Sequence, residues 1–216
     1  TGDIKAQIEF FTDVLGCELV ALYWMHGVEG FWHGFLRLND SSSIAFVQGP
    51  DTTGISAVAG VSHAGNAGGY TAPGTMQHVS FNVDTHDDLL AMRDRIRTKG
   101  VNVFGPIDHG MCQSIYFAGP EQLSLEVAWS DAALDPARWI DPATLAKIGV
   151  TPEETERFMH PDAYEGEGGT VPQPPIDPAK PHQAMPDAAY KQIISMPDEV
   201  IWKMASYAEP PVKEEA

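Results

Sequence analysis

A chain of 216 residues that is 43% hydrophobic can bury a full core, and its formal net charge of −17 repels nucleic-acid phosphates and anionic membrane surfaces. No stretch approaches the roughly 18 consecutive apolar residues of a membrane span, so neither nucleic acid nor membrane is expected as a partner. The 2 cysteines, Cys17 and Cys112, show no metal-type spacing, which argues against a disulfide framework or a thiolate zinc site and makes a reducing cytoplasm the expected compartment.

In chain order, residues 1 to 16 read as a helix, with Ile4, Ile8, Phe11 and Leu15 at helical spacing and Gly16 as the stop. An apolar segment follows, "CELVALYWMHG", then the strands "FLRL" and "SIAFV" around the turn "NDSS". Residues 49 to 75 are rich in Gly, Ala, Ser and Thr; a loop of that length either covers a site or is an insertion. "MQHVSFNV" (76 to 83) alternates as a strand, sending His78, Ser80 and Asn82 to one face and Val79, Phe81 and Val83 to the other. Residues 85 to 100 form a second helix, with a Thr85/Asp88 capping box, a Leu89, Met92 and Ile96 stripe, and Gly100 at its end. After it come "VNVFGPIDHG", "SIYF", the turn "AGPEQ" and "LSLEV".

Helix, apolar segment ending in His-Gly, strand, turn and strand thus occur twice in the same order, an internal repeat. The second copy also carries a strand before its helix. The first shows none, so the matching strand and a counterpart of His78 are expected about six or seven residues before Thr1. The expected organisation is an incomplete first module (1–48), a flexible connecting loop (49–75), a second module (76–129) and a C-terminal extension (130–216). In the extension, Asp141-Pro142 and Thr151-Pro152-Glu153-Glu154 look like helix starts. Residues 171 to 181 hold 5 prolines and should be extended, and a last helix runs from about Pro197 to Tyr207 with Val200, Ile201 and Met204 on its apolar side. Such a tail cannot build its own core and is expected to wrap the repeat domain or a partner subunit.

The chemistry concentrates in the second copy. In "LSLEVAW", Leu123, Leu125 and Val127 share one face, leaving Ser124, Glu126 and Ala128 on the other. A carboxylate in mid-strand is costly unless it is paired or bound to a metal. Tyr116 and Ser114 similarly separate from Ile115 and Phe117. If His78, Tyr116 and Glu126 share one concave face, an imidazole, a phenol and a carboxylate converge, which suits a divalent transition metal beside an acid–base group. The bland alternatives are a hydrogen-bonded structural histidine and a Glu126–Arg37 ion pair.

The repeat, with "FFTDVLGCEL", "QHVSFNVDTHDDL" and "SIYFAGPEQLSLEV", resembles the vicinal oxygen chelate superfamily of glyoxalases, bleomycin-resistance proteins and extradiol dioxygenases. The resemblance covers residues 1 to about 129 and implies an α+β fold in which two βαβββ modules form a cupped mixed sheet, here followed by a helical and Pro-rich extension. It implies a metal held by His78 and Glu126. "QSIYFAGPEQLSLEV" is most similar to ring-cleaving members, whose active-site tyrosine corresponds to Tyr116, 10 residues before Glu126. The departure lies in the turn, where Gly119-Pro120-Glu121-Gln122 replaces Asp-Pro-x-Gly.

Aligning "SIAFV" with "LSLEV" puts Phe46 opposite Glu126, so the first half offers no carboxylate, whereas glyoxalase-type sites draw one from each half. Two histidines and one carboxylate match the facial triad of non-haem Fe(II) oxygenases. The resemblance therefore implies an Fe(II)-dependent, extradiol-type dioxygenase, an oxidoreductase acting on a small aromatic diol, with the first module's ligand lying before Thr1. Mn, Zn and Ni are the alternative metals. The alternative functions are a glyoxalase-like isomerase or lyase and a metal-free binding protein of the bleomycin-resistance kind. Tyr116, His33 and His109 are the candidate catalytic residues. His26 and His109 hold equivalent repeat positions, which also suits turn residues; His33, Trp24, Trp32 and Phe35 suit either a pocket wall or the core. His63, His86, His160 and His182 read as surface positions. Module pairing in the family allows a homodimer.

Overall fold

The first helix starts where Asp3 accepts a hydrogen bond from the backbone N–H of Ala6 at 3.0 Å, satisfying one of the free donors at a helix N-terminus. In the computed structural model, which describes residues 1–213, α1 spans Ile4–Glu9 and continues as a π-helical turn over Phe10–Val14. The uniform helix expected over residues 1 to 16 is therefore interrupted. The Thr12 hydroxyl donates to the Ile8 carbonyl at 2.8 Å, and Leu15 N–H reaches back to the Phe10 carbonyl. The wider turn lets two consecutive residues pack inward: Phe10 stacks on Phe117 and Phe11 is fully buried. Gly16 ends the turn at φ +85°, and a side chain there would press on the Arg95 guanidinium. Arg95 itself donates to the Val14 carbonyl at 2.8 Å, placing a cation against a helix C-terminus.

Strands β1 (Leu19–Trp24), β2 (Trp32–Asn39) and β3 (Ser42–Gln48) form an antiparallel sheet in that order. The second module supplies β4 (Val79–Asn82), α2 (His86–Thr98), β5 (Phe104–Asp108), β6 (Gln113–Ala118) and β7 (Ser124–Trp129). Its sheet order is β4-β7-β6-β5, with β4 parallel to β7 and the other pairs antiparallel. This is the expected α+β fold; the strands divide into two hydrogen-bonded sheets, and mixed strand direction is confined to the second. The capping box closes on α2 as its sequence indicates, with Thr85 and Asp88 exchanging both bonds. Phe11, Leu36, Leu89, Ile96, Ile115 and Leu125, drawn from both modules, make one core. Each such side chain contributes about 1.5–3 kcal/mol by leaving water.

The core corrects the repeat alignment by one residue. Phe46 packs its ring 5.1 Å from that of Phe11, on the core side of β3. In the sheets, Leu36 pairs with Ile44 as core-facing Phe117 pairs with Leu125, so Phe35 and Ala45 occupy the places of Tyr116 and Glu126. Because side chains alternate along a strand, that one-residue shift exchanges the faces. Ala45 has no carboxylate either, so the count of ligands is unchanged.

The β6–β7 turn differs from a glycine-containing one in that Glu121 and Gln122 take left-handed conformations, φ +56° and +60°. Contacts hold Glu121 there: Gly2 N–H donates to Oε1 at 2.6 Å and the buried Gln7 amide to Oε2 at 3.0 Å. Burial raises the Glu121 carboxyl, but bonds from Thr1, Gly2 and Gln7 outweigh it, and the net direction is below its ordinary 4.5. A depressed carboxyl stabilises the fold fully above its unfolded value and loses that contribution as pH falls through the folded one. Stability to urea should therefore decline as pH falls below 4.5, and Glu121→Gln should make that decline shallower. Identical pH slopes for the two proteins would remove Glu121 from this role.

Thr1–Leu134 forms one compact unit and a second begins at Asp135. The second unit holds α3 (Pro136–Trp139), α4 (Pro142–Ile148), α5 (Pro152–Met159), α6 (Asp187–Ile194) and α7 (Asp198–Ala205). Asp135, Asp141 and Thr151 cap the first three, each followed by proline at the first helical position. The short α3 and α6 lay outside the expectations. None of these helices has a buried residue, in keeping with a segment that lacks its own core. Among the described residues, no helix is long and apolar enough to cross a membrane.

Candidate functional site

Pairing in the second sheet brings three side chains to one point. Ser80 lies opposite Glu126 in the parallel β4–β7 pair, and His78, two residues earlier, projects from the same face. On the other side of β7, Tyr116 is the direct antiparallel partner of Glu126. His78 Nε2 lies 2.7 Å from Glu126 Oε2, and the Tyr116 hydroxyl donates to Oε1 at 3.1 Å. His109, just beyond β5, completes a chain: its Nε2 lies 2.9 Å from the Tyr116 oxygen. With the phenol proton directed at Glu126, that oxygen accepts from Nε2–H of His109. Arg37, the alternative partner for Glu126, instead pairs with Glu18 at 3.5 Å.

Glu126 is only 7% exposed. Burial pushes its carboxyl up, but the Ser114 hydroxyl, hydrogen bonds with His78 and Tyr116, and the adjacent imidazole outweigh that, so it lies below its ordinary value and stays ionised at neutral pH. Tyr116 moves the other way. Burial raises it first and the Glu126 charge adds to this, against an opposing bond with Ser114. The phenol therefore keeps its proton, a donor poised beside a carboxylate.

His78 Nδ1 meets the Gln77 side-chain oxygen, which can only accept. With hydrogen committed at Nδ1, Nε2 and the ionised Glu126 Oε2 present lone pairs to each other, and a positive centre between them, a proton or a metal ion, satisfies both. A neutral imidazole and a carboxylate are also the donor types of a divalent transition metal. The pair thus fits two positions of such a site. Among the described residues, no group of three or more His, Cys, Asp or Glu side chains is placed to hold a metal.

Beside Tyr116 opens a cavity of about 540 Å³ lined by Phe104, Ile107, His109 and Tyr116 and walled by Gly65–Gly68. Residues of the connecting loop thus form part of the cavity wall. His33 is elsewhere, paired with Tyr23 and Val47 in the first sheet, its ring 4.2 Å from that of Phe35. Trp24 and Trp32 stack at 4.2 Å but are 58% and 40% exposed, and neither lines the cavity. His26 stacks on Tyr23 of β1, whereas His109 meets Tyr116 edge-on. Gln77 had been assigned no role from the sequence, and residues 65–68 only the alternatives open to the whole loop, covering a site or being an insertion. Adjacency to His78 was the only signal for the first, and the glycine-rich composition for the second.

An αβββ module and a βαβββ module share one core, with an imidazole–carboxylate pair on the face of the second sheet. The chain belongs to the Glyoxalase/Bleomycin resistance protein/Dioxygenase superfamily, whose sequence profile matches residues 1–136. No curated protein matches the sequence. Similar solved structures include a glyoxylase/bleomycin resistance protein/dioxygenase domain from Frankia sp. EAN1pec, at 16% identity and TM-score 0.49, covering 62% of this chain and 88% of that one. TnmS3, an antibiotic binding protein from Streptomyces sp. CB03234, is 18% identical with TM-score 0.41, covering 60% and 88%. FosX, a fosfomycin resistance protein from Listeria monocytogenes complexed with Mn(II) and sulfate, is 15% identical with TM-score 0.39, covering 60% and 85%.

Proposed function

We propose that the protein is a metal-dependent enzyme of the extradiol ring-cleaving type, with Fe(II) as its metal and a small aromatic diol as its substrate. The observation that carries this reading is the continuous chain His78–Glu126–Tyr116–His109, in which Tyr116 and His109 line the cavity and Tyr116 joins that lining to two metal-type donors, His78 and Glu126. His78 and Glu126 would hold the metal, which when bound supplies a centre able to orient a chelating diol beside oxygen and to carry electrons between them. The apolar walls Phe104 and Ile107 suit a planar ring. His109, whose Nε2–H is donated to Tyr116, would take a proton from a diol hydroxyl at Nδ1, and Tyr116, kept protonated by burial and the Glu126 charge, would turn its hydroxyl from Glu126 to donate to oxygen developing charge. Ala45 in the place equivalent to Glu126 leaves the first half without the second carboxylate of a glyoxalase-type site.

The test is oxygen uptake by full-length protein loaded anaerobically with Fe(II), against a panel of catechols and hydroquinones. Consumption coupled to ring-cleaved product supports the reading. Turnover with redox-inert Zn(II) or Ni(II) and no oxygen uptake would replace it with an isomerase or lyase, and ligand recovered intact with every metal would replace it with a binding protein. Within the same assay, Tyr116→Phe removes the phenolic proton but keeps the ring. It should lower kcat about 10²- to 10⁴-fold while changing KM little. An unchanged kcat would exclude Tyr116 from proton transfer.

A further inference from the structure

The amide of Gln77 has no freedom of orientation. Its Nε2 donates to the backbone carbonyls of Asn66 at 3.3 Å, Ala67 at 2.6 Å and Gly69 at 3.2 Å. All three are acceptors, so the nitrogen must face them and the amide oxygen must face the opposite way, where it meets Nδ1 of His78. The loop end of this contact is itself built. Gly68 N–H is bonded to the Asn66 side chain and Gly69 N–H to the Asn66 carbonyl, each at 3.0 Å, and Ala64 is buried. A side chain at Gly69 would run into the Ala64 carbonyl. The loop is thus a small self-bonded knot whose carbonyls converge on one donor.

We infer that Gln77 is a positioning residue that couples the cavity wall to His78: one amide group seats residues 66–69 and fixes the imidazole with hydrogen at Nδ1 and Nε2 facing Glu126. Neither half works alone. If the loop carbonyls move away, the amide loses what holds its nitrogen outward, and its oxygen is no longer bound to face the ring. If the ring turns, the amide loses its acceptor contact. The three acceptors, two of them on the cavity-lining residues Asn66 and Ala67, therefore determine which imidazole nitrogen faces Glu126, and outer partners of this kind set ring orientation at metal-binding histidines. The consequence for metal affinity rests on His78 being a metal donor; the coupling of loop and ring does not.

Two substitutions in the full chain separate the contacts. Gln77→Leu removes both the donor and the acceptor, whereas Gln77→Glu keeps an oxygen for Nδ1 but has nothing to donate to the loop. Ring ¹⁵N NMR, with the His78 signals assigned by their loss in His78→Ala, reads the tautomer, and amide hydrogen exchange reads residues 66–69. In Gln77→Leu, exchange in the loop should rise about tenfold or more and the His78 Nδ1–H pattern should disappear. In Gln77→Glu the loop should be released while the Nδ1–H pattern persists. A purely structural glutamine would not give that split. Mn(II) titration of the metal-stripped chain should show affinity about ten- to a hundredfold weaker in Gln77→Leu than in wild type. An unchanged His78 ring pattern in Gln77→Leu, or unchanged loop exchange in both variants, overturns the inference. A wild-type chain that takes up no Mn(II) or Fe(II) yet shows the Gln77-dependent split supports the coupling and overturns the metal reading alone.

Discussion

Glu126→Gln should reduce divalent-metal uptake by more than the about hundredfold upper range seen when only an outer partner is lost, while leaving the fold nearly intact. The two consequences separate because the amide is isosteric with the carboxylate. Its oxygen can still accept from Tyr116, and its NH2 can donate to the His78 nitrogen that the Gln77 contact leaves without hydrogen. What disappears is the anionic donor, which a divalent cation requires and a hydrogen-bond network does not. Glu126→Ala should lose both. It strips the acceptor from the Tyr116 hydroxyl and the partner from His78 Nε2, each worth about 1–3 kcal/mol if left unsatisfied in a buried setting. Metal per chain by elemental mass spectrometry, on protein purified without chelator or oxygen, reads the first effect; thermal melting of the metal-free variants reads the second. Stoichiometric metal retained by Glu126→Gln would mean that the ion sits elsewhere, and the His78–Glu126 pair would then be a structural contact.

The second-module site was legible because strand alternation is local and nearly invariant. Placing Leu125 and Val127 in the core forces Glu126 to the opposite face, and the β6–β7 register then sets Tyr116 against it without any long-range information. The Thr85/Asp88 box was legible for the same reason, since both partners lie within one turn. The alignment between modules failed by one residue because similarity of short apolar strands does not say which residues pair across a hairpin. Leu36 and Ile44 are as far apart in the chain as Phe117 and Leu125, so the hairpins match once the pairing is known, and comparing strand sequences does not give the pairing. The π-helical turn after Glu9 escaped for a related reason: Ile4, Ile8, Phe11 and Leu15 fit a regular helix, and the pull of Phe10 onto Phe117 comes from a strand more than a hundred residues away. Gln77 was invisible because its role depends on carbonyls of a loop whose path no periodicity encodes.

Phe11 is where that long-range packing is most consequential, and Phe11→Ala should cost about 3–5 kcal/mol, among the largest effects of any single truncation here. Its ring is fully buried and meets Phe46 of the first sheet at 5.1 Å and Phe81 of the second at 6.3 Å, both edge-on. Alanine would open a cavity bounded by two sheets and a helix, and sheets hydrogen-bonded across their whole width cannot collapse inward as a loop would. The loss is a large share of the about 5–15 kcal/mol that typically separates folded from unfolded chains. Phe11→Leu, which keeps most of the apolar volume, should recover much of it, and Phe104→Ala, at a side chain that is 71% exposed on the cavity wall, should alter stability by only about 0.5 kcal/mol. Urea unfolding followed by both fluorescence and circular dichroism checks the ordering. Because both modules contribute to the one core, the two probes should report coincident transitions for residues 1–134 in wild type and variant alike. If Phe11→Ala instead splits the curve in two, each sheet is stable without the other, and the site on the second sheet would persist after the first has unfolded.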